Sequence, residues 1–313
     1  MVTSIDRPPT GHRTAQPAGQ RIAERAGQRT GQRTAQPAGK RTAQRARAAT
    51  TRGVIPWPLG IPALVGALFL LLPLVGLLVR APWRGLPQLL ADGQVLDALR
   101  LSLTCATAAT AASVVFGVPL AWVLARSTVR AITLLRALVT LPLVLPPVVG
   151  GVALLLAFGR QGILGRLLDQ ATGITLPFTT AGVIVAETFV AMPFLVITVE
   201  GAFRAADHGY EEAAATLGAS RLTVFRTVTI PMVAPSLLAG AALCWARALG
   251  EFGATITFAG NFPGRTQTMP LAVYVALETN PEAAVALSLV LLVASIAVLA
   301  GLRGRWLSNG TSS

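Results

Sequence analysis

The 313-residue sequence contains little charge: Asp, Glu, Lys and Arg make up 12% of its residues, against about 25% in an average soluble domain. Apolar residues make up 53% of the chain, and the mean hydropathy is +0.63. A soluble globular domain has neither so few charges nor so many apolar residues. The composition therefore predicts a protein built for a lipid bilayer.

Lysine, cysteine and histidine are scarce, and their scarcity excludes several functions. Lys40 is the only lysine, so the sequence has no phosphate-binding loop of the kind that ends in Lys and holds ATP. Cys105 and Cys244 fall within apolar segments, where a thiol acts as a small apolar side chain and implies no disulfide framework. His12 and His208 have no partner at a useful ligand spacing, so no metal site is expected. A membrane enzyme would need a nucleophile and a base, and we find neither, so no catalytic residue is expected.

The net charge of +13 is concentrated at the N-terminus, since eleven of the 26 basic residues precede Gly53. The segment GHRTAQPAGQR at 11–21 returns as GQRTAQPAGKR at 31–41. Residues 1–53 contain almost no large apolar side chain and are expected to be disordered. Binding to RNA or lipid and a transit peptide are the alternatives. We expect instead a solvated cytoplasmic extension that helps orient the first membrane helix, with no nucleic acid as partner.

Six apolar windows follow this tail, each about the 20 residues that a helix needs to cross the hydrocarbon. They cover residues 57–79, 96–125, 134–158, 181–203, 233–258 and 283–302. The sequence therefore predicts an all-α, polytopic membrane protein with about six transmembrane helices over residues 54–306 and a short C-terminal tail at 307–313. Several prolines and glycines are expected to interrupt the third window, and one proline to kink the fourth, as a hinge beside a translocation path. These residues are Pro142, Pro146, Pro147, Gly150, Gly151 and Pro193.

Basic residues between the windows set the orientation, because cytoplasmic loops retain Lys and Arg. With the tail inside, the inner loops contain Arg126, Arg130, Arg136, Arg204, Arg221, Arg226, Arg303 and Arg305. The outer loops contain Arg80, Arg84, Arg160, Arg166 and Arg265, together with the acidic residues Asp92, Asp169 and Glu278. Both termini are therefore predicted to be cytoplasmic.

A polar stretch, EEAAATLGASRLTVFRTVTIPM at 211–232, lies in the last inner loop, at about 204–231. Asp207 is a predicted N-cap, and Glu211 and Glu212 place negative charge in the first turns of the helix that follows. Gly218 is suited to the left-handed conformation that ends this helix, and Ser220 then caps a second one. An apolar stripe is expected on the second helix, and two prolines mark its return to the membrane: Leu222, Phe225 and Val228, then Pro231 and Pro235.

Within this stretch, Glu212-Ala213-Ala214, then Gly218, then VTIP at 228–231 resemble the EAA signature of permease subunits of binding-protein-dependent ABC importers. Val and Ile replace the usual Ile and Leu of the family. The resemblance implies a type I ABC importer permease architecture, in which this loop docks in a groove of a cytoplasmic ATPase. It also implies that Glu212, Ala213, Ala214 and Gly218 are the ATPase-coupling residues. An ordinary interfacial helix is the alternative that the helical pattern alone leaves open.

The segment ARALGEFGATITFAGNFPGRTQTMPLAVY at 246–274, with LPLVLPPVVGG at 141–151 and the FGRQG that follows, is similar to the molybdate-transporter permeases. The likeness covers roughly residues 96–301. Sulfate and thiosulfate permeases share ARALGE(F/Y)G, but GRTQTMP at 264–270 looks more like the molybdate type, from which a tungstate type cannot be told apart.

This resemblance implies a non-enzymatic subunit of a bacterial plasma-membrane importer that carries the molybdate oxyanion across the lipid bilayer. Its expected partners are a second permease copy, two ATP-binding subunits that hold ATP and Mg, and an external binding protein. No cofactor is expected in this chain. An ion-coupled secondary transporter is the rival from another class, but it should show internal repeats, and none is convincing here.

Two further patterns occupy the fifth window. Small residues recur every four positions and predict a dimer-packing face: Ala242, Ala246, Gly250 and Ala254. Arg247 and Glu251 also lie four apart and are expected to pair near mid-membrane. The pair is either a gate, with Arg247 attracting the oxyanion and Glu251 preventing its tight trapping, or a structural ion pair that fixes helix rotation. Glu187 in the fourth window is a further buried acid, for which the sequence names no partner.

Overall fold

The computed structural model describes residues 57–127 and 129–308, and every regular element in them is a helix. The helices are α1 (Trp57–Val79), α2 (Leu86–Leu90), α3 (Gly93–Arg126), α4 (Ala131–Val144), α5 (Pro147–Phe158), α6 (Gly165–Thr172), α7 (Thr180–Ala205), α8 (His208–Thr216), α9 (Arg221–Val224), α10 (Ile230–Leu249), α11 (Gly253–Phe258), α12 (Met269–Thr279) and α13 (Pro281–Ser308). A π-helical turn, Phe225–Thr229, joins α9 to α10. The all-α prediction is confirmed for the described residues. The predicted tail at 1–53 and the last five residues of the chain lie outside them.

Five described segments are long and apolar enough to cross a membrane: Leu59–Val79, Gly93–Arg126, Thr180–Ala205, Arg221–Leu249 and Pro281–Val298. The third predicted window is instead divided into α4 and α5 at Leu145 and Pro146. The predicted proline interruption is therefore confirmed, because the residue before a proline is driven out of helical geometry and here Pro146 also precedes a proline. Pro193 ends no helix, since α7 continues past it. Helix α12 was not predicted.

The chain divides into two units, Met1–Leu70 and Leu71–Ser313. The described part of the first unit is the N-terminal portion of α1, where the large apolar side chains are exposed, Leu64 at 61% and Phe69 at 76% among them. A helix that is apolar on all sides and exposes such residues is suited to lipid.

Helix α7 is at the centre of the second unit. Its apolar window is 56% buried, against 33% for α3 and 22% for α10. One core cluster joins α7 to α3 and α10, through Leu195, Val199 and Phe203 on α7, Ala109 and Ala121 on α3, and Ala248 and Leu249 on α10. A second cluster joins α7 to α5 and α11, through Ala186, Val190, Leu154, Ala254 and Phe258. Four helices thus depend on one helix for their position.

Glycine permits the close approach of two of these helices to α7. A Cβ atom at Gly117 of α3 would lie 3.2 Å from Leu195 Cδ2, and one at Gly240 of α10 would lie 3.3 Å from Leu195 Cδ1. Lipid supplies no hydrophobic drive for helix association, so such van der Waals packing at small residues holds the bundle together.

Candidate functional site

The loop between α7 and α10 folds as its sequence predicts. Asp207 caps α8, with its Oδ1 accepting a hydrogen bond of 2.9 Å from Gly209 N. Gly218 follows the end of α8 with a φ of +86°, in the left-handed region, and an added Cβ there would meet no atom within 4 Å. Glycine is therefore favoured at this position by the left-handed backbone conformation, and not by a lack of space for a side chain. Ser220 caps the next helix, with its Oγ accepting from Thr223 N at 3.2 Å.

The second helix of this loop runs on into α10 without a break. Residues Arg221–Leu249 form one continuous helical segment, made of α9, the π-helical turn and α10. Pro231 lies in the first turn of α10 and Pro235 lies inside α10, so neither proline interrupts the helix. Within the π-helical turn, Ile230 N donates to Phe225 O, five residues earlier. The loop is thus joined directly to a membrane-spanning helix.

Two of the three residues of the predicted apolar stripe, Phe225 and Val228, are half-buried, and only Leu222 departs from it. Leu222 is 64% exposed, whereas Val224 is buried. Phe225 packs edge-on to Trp122 of α3, with ring centroids 5.8 Å apart, and also lies 6.3 Å from the Phe203 ring of α7. The loop therefore rests on α3 and α7 through one aromatic side chain.

The four predicted coupling residues lie at or near the surface of the loop. Glu212, Ala213 and Gly218 are exposed, and Ala214 is half-buried. Two large apolar side chains that the sequence did not single out are exposed beside them: Tyr210 at 65% and Leu217 at 89%. A contiguous face of small and apolar residues at the surface is typical of an interaction site.

Glu211, rather than Glu212, makes the internal contacts of the loop. Its Oε1 lies 2.6 Å from Arg126 Nη2 and accepts a hydrogen bond of 2.8 Å from Thr229 Oγ1. The side chains of Arg126 and Glu211 are 18% and 20% exposed, and the Arg126 guanidinium also contacts the His208 ring. We call this group of four residues the Glu211 cluster. It ties α8 to the last residue of α3 and to the π-helical turn, and a cavity of about 330 Å³ lies beside it.

A second charged cluster lies on the same side of the bundle. The Glu200 carboxylate of α7 is 2.9 Å from Arg136 Nε and 2.8 Å from Arg204 Nη2. Both guanidiniums also donate to Leu124 O of α3. Arg136 belongs to α4, so these contacts hold the first half of the divided third span against α3 and α7.

Arg247 and Glu251 form the predicted ion pair, with Arg247 Nη2 lying 2.6 Å from Glu251 Oε2. Glu251 is 1% exposed, and its Oε1 accepts a hydrogen bond of 2.8 Å from Ala254 N. Helix α10 ends at Leu249 and α11 begins at Gly253, and at this break in the span the Glu251 carboxylate satisfies a free N–H in the first turn of α11. The expectation of one continuous helix over 233–258 is wrong. A gating role for the pair stays a prediction.

This break also divides the predicted small-residue stripe. Ala242 and Ala246 belong to α10, Gly250 lies at its end, and Ala254 belongs to α11. Ala254 is fully buried against the chain itself, where a Cβ at Gly151 would lie 2.9 Å from its carbonyl oxygen. The four residues therefore do not share one helical face. A role of the other three in packing against a second copy stays a prediction.

Glu187 of α7 is 1% exposed, and its Oε2 accepts no hydrogen bond from any residue that the structure describes. Within the same residues, no three His, Cys, Asp or Glu side chains lie close enough to hold a metal ion together.

Residues 113–312 match the family of binding-protein-dependent transport system inner membrane components. The chain is 50% identical over 245 residues to the molybdenum transport system permease protein ModB of Mycobacterium tuberculosis, covering 78% of this chain and 92% of that protein. It is 39% identical over 259 residues to the sulfate transport system permease protein CysT of Salmonella typhimurium, covering 80% and 93%.

The fold is that of ABC importer permeases. A crystal structure of a bacterial ABC transporter involved in the import of the acidic polysaccharide alginate matches 82% of this chain and 96% of its own, with a TM-score of 0.64 and 16% identity. The alginate transporter in complex with its alginate pentasaccharide-bound periplasmic protein matches 79% and 91%, with a TM-score of 0.63 and 17% identity. The type I permease architecture predicted from the sequence is confirmed.

The Glu211 cluster predicts a local change in stability. Glu211→Ala should make amide hydrogens in α8 exchange about tenfold faster, the loss expected for hydrogen bonds to a charged group. Hydrogen–deuterium exchange of the purified chain measures this. Glu212→Ala, which removes the neighbouring exposed acid, should leave exchange in α8 unchanged. Equal rates in the two variants would show that the cluster does not hold the loop.

The ion pair between Arg247 and Glu251 predicts a change in the stability of the whole chain. Arg247→Met should lower the stability of the chain by about 1–3 kcal/mol, because the buried Glu251 carboxylate loses its charged partner. Adding Glu251→Gln should recover most of the loss, since the amide oxygen can still accept from Ala254 N. Thermal unfolding in detergent measures both. A double variant no more stable than Arg247→Met would contradict the assigned contacts.

Proposed function

Since the chain belongs to the family of binding-protein-dependent transport system inner membrane components, we propose that it is the permease subunit of an ATP-driven molybdate importer. It forms the translocation path and performs no bond chemistry. The loop of α8 is its coupling site for a cytoplasmic ATPase that holds ATP and Mg, and both termini lie in the cytoplasm. Tungstate, a similar tetrahedral dianion, is a second expected substrate.

One observation carries the coupling assignment: the α8 loop is exposed on one side and fixed to the membrane helices on the other. Glu212 and Leu217 face outward, which suits a docked partner. Glu211 holds the loop to α3, and the continuous segment Arg221–Leu249 leads from the loop into the membrane. A push on the outer face of α8 would therefore move α3 and α10 together.

The substrate assignment follows the relatives. The identity to the molybdenum permease ModB is higher than the identity to the sulfate permease CysT, over a similar share of the chain. Residues 264–270, GRTQTMP, also favour the molybdate type. A sulfate or thiosulfate importer is the runner-up.

The proposed partners follow from the assignment of this chain as the permease subunit of a binding-protein-dependent importer. The family match covers one stretch of the chain, residues 113–312, and a second copy is proposed to complete the path, with two ATPases on the cytoplasmic side and an external binding protein on the outer side. The alginate transporter, whose fold this chain shares, is solved in complex with a periplasmic protein. ATP binding by the ATPases would turn the path outward, and hydrolysis would reset it inward, by shifting the balance between two packings of the permease.

Arg247 and Glu251 support the path rather than bind the substrate. Glu251 is engaged by both Arg247 and Ala254 N at the break between α10 and α11. A pair held in this way fixes the rotation of α10, and a permanent strong anion site would oppose release.

The function is tested by ATP hydrolysis in proteoliposomes that contain this chain and its cognate ATPase. External binding protein is added empty or loaded with molybdate, tungstate or sulfate. We expect stimulation by the molybdate-loaded and tungstate-loaded forms only. Stimulation by the sulfate-loaded form would instead identify the chain as a sulfate permease. Transport by the chain without any ATPase would favour an ion-coupled secondary transporter.

The docking assignment has its own test. Glu212→Lys should abolish binding-protein-stimulated hydrolysis while leaving the chain folded, because it reverses the charge at the face proposed to dock. Glu278→Lys makes the same change at an exposed residue near the end of α12, and a complex that contains this variant should show normal stimulation of its ATPase. Unchanged stimulation in Glu212→Lys would contradict docking through this residue.

A further inference from the structure

A pocket of about 420 Å³ lies at the end of α7 that is opposite to the α8 loop. It is lined by the end of α5 and the loop after it, by the residues that precede α7, and by Arg265: the lining residues include Arg160, Thr175, Phe178 and Thr179. Helix α7 has 26 residues, so at about 1.5 Å per residue roughly 39 Å separate the pocket from the α8 loop. Neither the coupling site nor the buried ion pair accounts for this pocket.

The pocket is positively charged. Arg160 and Arg265 line it, and no acidic residue does. Arg265 forms no ion pair with any described residue, and the one carboxylate near Arg160 is that of Asp169, 3.8 Å from its Nε. The Arg160 side chain is 76% exposed and its contact with Asp169 is long, so its guanidinium is accessible to a further anion, as is that of the exposed Arg265.

The backbone that carries Arg160 is tightly folded. Leu164 N donates to Ala157 O at 2.8 Å, which turns the loop back over the end of α5. A Cβ atom at Gly165 would overlap the carbonyl oxygen of Gly159, so this turn requires glycine. The position of Arg160 is therefore fixed by its loop, although its side chain has no strong partner.

The backbone that carries Arg265 is fixed in the same way. Phe262 O accepts a hydrogen bond from Arg265 N at 3.1 Å, and the buried Thr266 Oγ1 accepts from Phe262 N at 2.9 Å. Arg265 O in turn accepts from Thr180 Oγ1, at the start of α7, at 2.9 Å. Two loops held by hydrogen bonds thus present two guanidiniums to one concave space, and the one ion-pair contact of either with a described residue is the long one between Arg160 and Asp169.

A backbone held in advance lowers the entropic cost of bringing two side chains to one ligand, and the guanidinium fork matches the geometry of oxyanions. We propose that this pocket is a low-affinity site for a tetrahedral oxyanion at the outer mouth of the translocation path, with Arg160 and Arg265 as its ligands. The location rests on the proposed function, because a cytoplasmic α8 loop places the opposite end of α7 outside. A concave site suits a small ion better than a protein surface does, and open access keeps binding weak enough for release.

The test uses the full chain, assembled with its ATPase in nanodiscs without the external binding protein, and radiolabelled molybdate at constant ionic strength. Arg160→Gln and Arg265→Gln should each weaken molybdate binding by about tenfold, as expected when hydrogen bonds to a charged group are lost. Arg166→Gln is the matched control, because Arg166 is an exposed arginine of α6 that does not line the pocket. It should bind molybdate as the unchanged chain does.

Equal binding by all variants, or no binding by the unchanged chain, would overturn the site. The same preparations are then stimulated with loaded binding protein. A lack of stimulation in the unchanged chain would count against the proposed function, whereas normal stimulation without an effect of the arginine variants on binding would overturn the pocket alone. If the variants keep their molybdate binding but need more binding protein for half-maximal stimulation, the two arginines are docking contacts and the oxyanion site is overturned.

Discussion

The Glu211 carboxylate joins three parts of the protein, α8, the end of α3 and the π-helical turn before α10, through charged and polar contacts. It is held by the Arg126 guanidinium at the end of α3 and by the Thr229 hydroxyl at the start of the span that contains α10. Because both partners are largely shielded from water, the pair is screened less than one at the surface. A force applied to α8 by the proposed ATPase partner would therefore reach two membrane helices at once, and α7, which packs on both, would carry it further.

The membrane imposes a second constraint, since backbone groups freed by a break in a helix must be satisfied within the protein. The two breaks lie next to one another, and at one of them a freed N–H, that of Ala254, is satisfied by Glu251. The chain leaves α10 at Gly250, and it divides the third span at Leu145 and Pro146. A Cβ atom at Gly253 would lie 2.9 Å from Pro147 Cβ, so the two interrupted segments pack directly on each other. The residues at the breaks themselves, Pro146, Pro147 and Gly250, are exposed in the single chain, so this contact does not by itself enclose the irregular backbone.

Local signals in the sequence were sufficient for the elements they control. The caps at Asp207 and Ser220 and the turn at Gly218 depend on neighbouring residues, and each was predicted correctly. The break at Pro146 has a local cause as well. The Glu211 cluster was not predicted, because Arg126 lies 85 residues away along the chain and no spacing rule links them. The break at Gly250 was not predicted, because Arg247 and Glu251 lie at the four-residue spacing of one continuous helix, whereas in the structure the Glu251 carboxylate accepts from Ala254 N beyond the break.

The most direct measurement of coupling is the number of ATP molecules hydrolysed per molybdate ion imported by proteoliposomes of the complete transporter. Arg126→Glu and Glu211→Arg should each raise this ratio, since hydrolysis would continue while the loop no longer moves the membrane helices. The double variant, which restores an ion pair of reversed polarity, should return the ratio toward that of the unchanged chain. An unchanged ratio in both single variants would contradict transmission of movement through the Glu211 cluster.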